Sequence, residues 1–504
     1  MTRPAIGAER AAFIATAVFA GATFWIVPRP PMADLAQHAG QVALLHELWW
    51  GDAKWRSLVY INYFTPYLLG TVLAAPLLFV MSALSAVKLV LTVAYVAFVA
   101  ACVALRRAFA GDQRLDWLFI PGFFGSSYAL GFYPYLVAAP LGVLFVLLAY
   151  RYALRPTPVA GLVLFLADLL LFFSHGLIMA FASAVGGLFL LLKCRPLRLL
   201  VVATLPYAAI GAIAVTYALV GLHAEGTAAN GVVGNSGWNI NQLNFAALTI
   251  GWPVGTIGIY RQVGPLVLLI AIAPFVLGAR LNWREPASFI PLLITVFFWV
   301  FAPAWQLLQR FALFLLPCYA LIFRAPDPDR RRRSIAVMVP LLCWVALGIH
   351  TQRLLAFRQE STGFDEVLVA AAPGERALGI MLDSGSAATG HATAYQHFPL
   401  WYEAERGGFV DFTFAGFLQE MVRYRPGQMP ARFGSEDWAW TARSGFDWTR
   451  DQAGIYRYFF VRSVEPLPPG YFPSGRCQPV LVKSSGPWSL FENVNCRTDA
   501  ISRP

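Results

Sequence analysis

The stretch PVAGLVLFLADLLLFFSHGLIMAFASAVGGLFLLLKCRPLR, residues 158–198, contains two apolar runs separated only by Ser-His-Gly at 174–176. Each run approaches the length of about 20 residues that a helix needs to cross the hydrocarbon core of a bilayer. Three cations, Lys193, Arg195 and Arg198, follow the second run at once. The pattern predicts two transmembrane helices joined by a short turn, with a cationic loop after the second.

The rest of the chain extends this pattern. Of its 504 residues, 58% are hydrophobic and 13% are charged, whereas soluble proteins average about half apolar and a quarter charged. We therefore predict a polytopic α-helical membrane protein with about 11–13 transmembrane helices and a C-terminal soluble α/β domain. The apolar spans are predicted at about 11–27, 65–82, 87–105, 116–130, 134–150, 158–173, 177–192, 199–220, 263–279, 287–303, 311–323 and 335–350. The first span also suits a signal peptide, but it ends in Pro-Arg-Pro-Pro without a small-residue cleavage pattern, which favours a retained helix.

The formal net charge of +11 is concentrated in short loops between these spans. Such a distribution follows the positive-inside rule and places those loops in the cytoplasm, which argues against a nucleic-acid partner. The cationic loops contain Arg106, Arg107, Arg114, Arg151, Arg155, Lys193, Arg195, Arg198, Arg280, Arg284, Arg324 and Arg330 to Arg333. We predict a transmembrane domain at 1–350, outer loops at 28–63 and 222–260, and an extracytoplasmic domain at 351–504. Twelve crossings would leave both ends of the chain on the same side of the membrane, whereas the charges place the N-terminus inside and the tail outside. We expect the discrepancy of one crossing to arise between residues 65 and 150.

The polar tail is predicted to be a small α/β domain. Residues 366–370 and 458–461 are predicted strands, 478–483 and 488–491 a closing hairpin, and 414–424 a helix. Cys477 and Cys496 lie in this tail, and their spacing suits a disulfide in an oxidising compartment, with two free thiols as the alternative. The other four cysteines lie in or beside spans and are predicted to be small apolar residues.

Asp34 opens the first outer loop and precedes His38 by four residues, so the two share one face of a helix. A carboxylate beside an imidazole can act as an oriented base or help to hold a metal. The alternative is that Asp34 only caps the helix that follows it. That helix carries Leu35, Val42 and Leu45 at helical spacing with polar residues between them, which predicts an amphipathic segment along the membrane interface.

Asp168 lies inside a predicted span, and His175 follows it by seven residues, which returns to the same helix face. Ionisable residues within a membrane are costly to bury and often functional. Asp168 could instead make a structural hydrogen bond to a neighbouring helix. Both residues are candidates for lining a cavity.

Arg310 is predicted at the outer end of its span, where an isolated arginine opposes the positive-inside bias. A guanidinium there suits a phosphate or pyrophosphate, although it could also extend to lipid headgroups. Lys54, Arg56 and Arg261 are weaker candidates for the same role. Gln306 and Gln309, in the turn before Arg310, are further cavity candidates.

Taken together, these features resemble the GT-C superfamily of integral-membrane glycosyltransferases, in particular its bacterial members. The resemblance is one of layout: a first helix, an outer loop with an acidic residue and an interfacial helix, a many-helix body and an outer domain. It is carried by Asp34 to His38, Tyr63-Phe64-Thr65-Pro66-Tyr67, Gly131-Phe132-Tyr133, Ser174-His175 and Arg310-Phe311. The family often shows paired acids, whereas here Asp34 stands between Ala33 and Leu35.

The resemblance implies transfer of a sugar from a polyprenyl-phosphate donor to a glycan, lipid or protein acceptor on the outer face of a bacterial inner (cytoplasmic) membrane. Asp34 would be the general base, Arg310 would bind the leaving phosphate, and single displacement would invert the anomeric carbon. A divalent metal, Mg²⁺ or Mn²⁺, is left open as a cofactor. The alternatives are a transporter or flippase for a lipid-linked glycan and a catalytically inactive GT-C-like assembly protein. The sequence contains no P-loop and no Rossmann glycine pattern, which weakens ATP-driven transport and soluble nucleotide-sugar chemistry.

Overall fold

The structure is a computed structural model. It describes residues 3–52, 54–222, 257–301, 305–326, 337–430, 453–472 and 478–494. These residues form two compact units. The first unit contains the described residues within 1–26, 88–222 and 232–354, and the second those within 27–87 and 355–504.

The described residues are mostly helical. The α-helices are α1 (Arg3–Ala22), α2 (Leu35–Trp50), α3 (Leu68–Ala74), α4 (Ala83–Ala108), α5 (Phe119–Gly122), α6 (Ser126–Ala129), α7 (Tyr133–Leu154), α8 (Pro158–Ser174), α9 (Gly176–Lys193), α10 (Leu197–Ala203), α11 (Leu205–Leu222), α12 (Ile257–Val276), α13 (Ile290–Phe301), α14 (Trp305–Leu321), α15 (Met338–Glu360), α16 (Thr362–Ala370) and α17 (Trp401–Arg406). The strands are β1 (Val59–Ile61), β2 (Arg280–Leu281), β3 (Phe323–Arg324), β4 (Arg376–Met381), β5 (Phe409–Asp411), β6 (Val422–Tyr424), β7 (Tyr458–Arg462), β8 (Gln478–Ser485) and β9 (Trp488–Val494).

Five helical stretches among the described residues are long and apolar enough to cross a membrane. They are Ala83–Ala108, Tyr133–Leu154, Gly176–Lys193, Leu197–Gly221 and Met338–Glu360. Shorter apolar helices lie at Leu68–Phe79, Pro158–Ser174, Pro286–Phe298 and Arg310–Leu321. These helices suggest a membrane protein, in agreement with the composition.

Two predicted spans between residues 65 and 150 are not single helices. The run 65–82 contains α3 and a 3-10 helix at Ala75–Phe79, which together are too short to cross about 30 Å of hydrocarbon. The run 116–130 is divided into a 3-10 helix at Gln113–Leu118 and the short helices α5 and α6. Residues 115–129 are buried throughout. Interrupted backbone of this kind is tolerated in a membrane protein where protein surrounds it.

In the first unit, α7 packs against both α8 and α9, so the two runs of residues 158–198 share one neighbour. Glycine allows the closest approaches. A Cβ added to Gly142 of α7 would lie 2.4 Å from the Ile178 side chain, and one added to Gly186 of α9 would lie 2.4 Å from the Tyr207 hydroxyl. Cys102, Cys194, Cys318 and Cys343 are free and buried, as predicted for small apolar residues.

The second unit contains a mixed five-stranded sheet with the strand order β5-β4-β7-β9-β8. Strands β5, β4 and β7 are parallel to one another, whereas β9 and β8 form an antiparallel hairpin beside β7. Leu378, Ile380 and Phe459 belong to an apolar core on one face of the sheet. The Phe364 ring of α16 packs against Trp488 at 4.8 Å. The predicted strand at 458–461 and the closing hairpin are confirmed.

Two predictions in this unit were wrong. Residues 366–370 belong to helix α16, because the buried residues Phe364, Val367, Leu368 and Ala371 recur at helical spacing over a longer window. Residues 414–424 form a 3-10 turn and strand β6 instead of a helix.

Helix α2 is present as predicted, but its polar face is not solvated. Gln37, His38 and Gln41 are as buried as Leu35 and Val42. Helix α2 packs against α17, and a Cβ added to Gly40 would lie 2.5 Å from Oε1 of Glu403. The alternation of polar and apolar residues therefore reflects protein contacts on both sides of the helix.

Candidate functional site

Asp34 is at the N-cap position of α2, but its side chain makes no capping hydrogen bond. Its backbone is in the right-handed helical region, with φ −92° and ψ −2°, instead of the extended conformation that capping residues usually adopt. The carboxylate atom Oδ1 lies 3.5 Å from Nε2 of His397, and the Asp34 side chain is 21% exposed. The capping interpretation of Asp34 is therefore not observed, and its carboxylate is accessible.

His397 is oriented by Gln37, which lies one turn after Asp34. The Gln37 amide is fixed by two backbone bonds: Nε2 donates to the Phe412 carbonyl at 2.9 Å, and Oε1 accepts from the Phe414 N–H at 2.8 Å. Gln37 Nε2 also lies 3.0 Å from His397 Nδ1, and as a donor it makes Nδ1 the acceptor. The imidazole proton is then on Nε2, the atom that faces Asp34.

The His397 ring is neutral at physiological pH. Burial lowers the pKa of His397 to about 3, far below its usual 6.5. The contact with Asp34 therefore pairs a neutral imidazole with a carboxyl group, and the imidazole N–H faces one carboxylate oxygen at 3.5 Å.

Glu420 supplies a second acid near Asp34. Burial raises the pKa of Glu420 well above its usual 4.5, and the nearby charge of Asp34 raises it further. Its backbone is held by Asn62, whose Nδ2 donates to the carbonyls of Leu418 and Glu420 at 3.3 and 3.2 Å. The Thr65 hydroxyl donates to the carbonyl of Gln419. Asp34, isolated in sequence, thus has a carboxyl neighbour whose pKa is raised.

His38 is buried one turn after Asp34. Its ring meets Phe414 edge-on at 5.4 Å, and Phe414 also contacts the ring of His397 at 5.6 Å. The aromatic ring therefore lies against both imidazoles. Among the described residues, no group of three or more His, Cys, Asp or Glu side chains is arranged to hold a metal ion.

Two of the proposed phosphate-binding cations make backbone contacts within the second unit. Lys54 Nζ donates to the Gly374 carbonyl, and Arg56 Nη2 donates to the Leu48 carbonyl at 3.1 Å. These bonds brace the segment that follows α2. The side chains of Arg261, Gln306 and Gln309 lie outside the described residues, as do the loop 223–256 and both tail cysteines.

In the first unit, Arg310 is stacked on an aromatic ring. Its guanidinium carbon lies 4.1 Å from the centre of the Phe132 ring. Arg310 Nε is buried without a hydrogen-bond partner in the described part of the chain, and so is the hydroxyl of Tyr135. The Tyr135 phenol is close enough to interact electrostatically with Arg310, and its ring meets His175 edge-on at 5.0 Å. The short stretches at 131–133, 174–175 and 310–311 thus gather around Tyr135.

Asp168 and His175 have different environments. The Ser183 hydroxyl of α9 lies 3.1 and 2.8 Å from the two carboxylate oxygens of Asp168, so this pair ties α8 to α9. His175 follows the last residue of α8 in extended backbone, and its Nδ1 accepts from the Leu177 N–H at 3.3 Å. The argument that a spacing of seven places both on one helix face fails because α8 ends at Ser174.

Sequence reasoning singled out Asp34 and Arg310 but missed the residues that surround them. His397, Glu420 and Tyr135 were not among the predicted site residues, and Gln37 was treated only as part of a polar face. These residues contact positions far apart in the chain, so no pattern of residue spacing in the sequence could have indicated them. Searches against protein-family models, curated proteins and solved structures found no match to this chain.

Proposed function

We propose that this chain is an inverting membrane glycosyltransferase that moves a sugar from a polyprenyl-phosphate donor to an acceptor hydroxyl, with Asp34 as the general base. The observation that supports this proposal is the contact between Asp34 Oδ1 and His397 Nε2 at 3.5 Å. The other ring nitrogen of His397, Nδ1, is bound by Gln37. A carboxylate that is oriented and still 21% exposed suits abstraction of a proton from a substrate.

In the proposed step, the acceptor hydroxyl transfers its proton to Asp34 as its oxygen bonds to the anomeric carbon. The bond from that carbon to the phosphate oxygen breaks, and polyprenyl phosphate leaves with the electron pair. His397 positions Asp34 through its N–H. Burial and the charge of Asp34 both raise the pKa of Glu420, which disfavours a second negative charge beside the base.

Arg310, in the first unit, is proposed separately as a phosphate-binding residue. Its Nε is buried and unpartnered among the described residues, and the adjacent Tyr135 hydroxyl is a second unused donor. A guanidinium with free N–H groups is the side chain that best matches phosphate oxygens. Arg310 stacks on Phe132, which fixes the plane of the guanidinium.

The test is the release of polyprenyl phosphate from synthetic polyprenyl-phosphate sugars by the purified protein in lipid nanodiscs. Asp34→Asn should reduce turnover by at least about a hundredfold, because it removes the base. Asp52→Asn is the matched control, since Asp52 is an exposed acid just after α2. Each variant is assayed with and without Mg²⁺ or Mn²⁺.

Equal turnover by wild type and Asp34→Asn would eliminate Asp34 as the base. Absence of turnover with every donor, despite saturable donor binding, would favour a transporter or a catalytically inactive assembly protein instead. Retention of anomeric configuration in the product would contradict single displacement.

A further inference from the structure

Helices α1 and α4 meet at one end and separate at the other. Near the end of α1, Trp25 Nε1 donates to the Thr92 hydroxyl at 3.1 Å. A Cβ added to Gly21 would lie 3.4 Å from the Tyr95 ring, an ordinary contact distance. Towards Arg10 on α1 and Arg107 on α4, the two helices instead border a cavity.

This cavity has a volume of about 550 Å³ and lies entirely within the first unit. Its walls include Ile14 and Val18 from α1 and Val96 from α4, which are 51%, 63% and 50% exposed. Trp117 closes one side, with its ring 5.5 Å from that of Phe13. The volume falls in the range of about 300–1,000 Å³ that is usual for small-molecule sites.

The polar end of the cavity has an excess of positive charge. Arg106 is neutralised by Asp116, with N–O distances of 2.8 and 2.6 Å. Arg10 and Arg107 are exposed and make no ion pair within the described residues, and the remaining acid at this end is Glu9. The three arginines and two acids that line the cavity carry a net charge of +1, with Arg10 and Arg107 exposed and Asp116 also close enough to interact with Arg107.

We propose that this groove binds one anionic glycerophospholipid, with an acyl chain along the apolar wall and the phosphate at Arg10 and Arg107. An exposed apolar wall that ends in unpaired arginines matches the two chemical parts of such a lipid. Basic pockets between transmembrane helices on the cytoplasmic side are typical sites for acidic headgroups. The positive-inside rule predicts that Arg10 and Arg107 are on that side. This inference is independent of the proposed transfer reaction.

The experiment is native mass spectrometry of the intact protein, released from nanodiscs that contain equal amounts of phosphatidylglycerol and phosphatidylcholine. Wild type should retain one phosphatidylglycerol in preference to phosphatidylcholine. Arg10→Gln with Arg107→Gln should weaken retention by about tenfold to thirtyfold, from the loss of two arginine–lipid contacts. Ala100→Trp, which fills the groove without changing its charge, should also abolish retention.

Arg151→Gln with Arg155→Gln is the matched control, because both arginines are exposed on another predicted cytoplasmic loop. This control should retain the lipid as wild type does. The proposal is overturned if the control loses as much lipid as the groove variant, or if Ala100→Trp retains it while its melting temperature is unchanged. Preference for added polyprenyl phosphate over phosphatidylglycerol would overturn the assignment to a glycerophospholipid, and displacement by inorganic phosphate alone would overturn the role of the acyl chain.

Discussion

Among single residues, His397 offers a test of how Asp34 is positioned. His397→Ala should lower turnover by about tenfold to hundredfold, as the loss of an orienting partner commonly does. His397→Gln should recover part of the rate, because its amide can present an N–H to Asp34. The lowered pKa of His397, about 3, further predicts that the imidazole contributes no limb to the pH–rate profile between pH 5 and 8. Equal rates for the two variants would contradict the positioning role.

Glu403 predicts a dependence of stability on pH. Burial raises the pKa of this carboxyl from 4.5 to about 8, although the Val410 N–H that donates to Oε2 at 3.1 Å opposes the shift. The folded state therefore holds a proton that the unfolded state releases above pH 4.5. This stabilising contribution is complete below pH 4.5 and is lost as pH rises through about 8.

Glu403→Gln should remove that dependence. Between pH 5 and pH 9 the wild type should lose about 2–4 kcal/mol of unfolding free energy more than the variant, measured by denaturant titration. Glu465→Gln, at an exposed acid, should follow the wild-type curve. Parallel curves for wild type and Glu403→Gln would show that Glu403 titrates normally.

At the scale of elements, α16 depends on a glycine. A Cβ added to Gly363 would lie 2.5 Å from the backbone oxygen of Ser485, so Gly363→Ala must shift the helix away from the β8–β9 hairpin. The free energy of unfolding should fall by about 1–3 kcal/mol. Gly454→Ala is the control, since nothing lies within 4 Å of its added Cβ. An unchanged melting temperature for Gly363→Ala would contradict the packing of α16.

The register of the closing hairpin bears on the tail cysteines. Gln478 of β8 is paired with Val494 of β9. Cys477 is one residue before Gln478 and Cys496 two residues after Val494, and both are outside the described residues. We expect them to form a disulfide that closes the open end of the hairpin. A peptide containing both cysteines should appear in non-reducing mass spectrometry of the purified protein, and quantitative alkylation of both thiols without reductant would rule the bond out.

The wrong strand prediction and the wrong helix prediction have different physical origins. Residues 366–370 are rich in valine, and only the wider window from Phe364 to Ala371 reveals the helical period. Residues 414–424 hydrogen-bond to side chains far away in sequence. The Gln41 Oε1 atom accepts a hydrogen bond from the Val422 N–H at 2.8 Å, and Gln41 Nε2 donates to the Val422 carbonyl at 3.0 Å. The secondary-structure propensity of a local stretch does not account for partners so distant in sequence.

For the whole molecule, apolar length was the part of the sequence that predicted structure best. Runs such as 177–192 form single helices because each is a continuous apolar stretch that can satisfy its own backbone hydrogen bonds. The run 116–130 is less apolar, since it contains Asp116, Pro121, Gly122 and Gly125, and it is interrupted and buried. Its Phe123 ring lies 5.4 Å from that of Tyr95. Such a run is better explained as a segment surrounded by protein than as a single membrane-spanning helix.

The predicted sidedness can be tested on the intact protein in spheroplasts. Gln113→Cys lies in a cation-rich loop and Gln428→Cys in the polar tail, and both positions are exposed. Because the positive-inside rule assigns the first loop to the cytoplasm, a membrane-impermeant maleimide should label Gln428→Cys in intact cells and Gln113→Cys only after permeabilisation. Labelling of the wild-type protein measures the background. Little of it should come from the buried cysteines Cys102, Cys194, Cys318 and Cys343. Labelling of Gln113→Cys in intact cells would reverse the orientation and remove Asp34 from the face where polyprenyl-phosphate sugars are expected to be used.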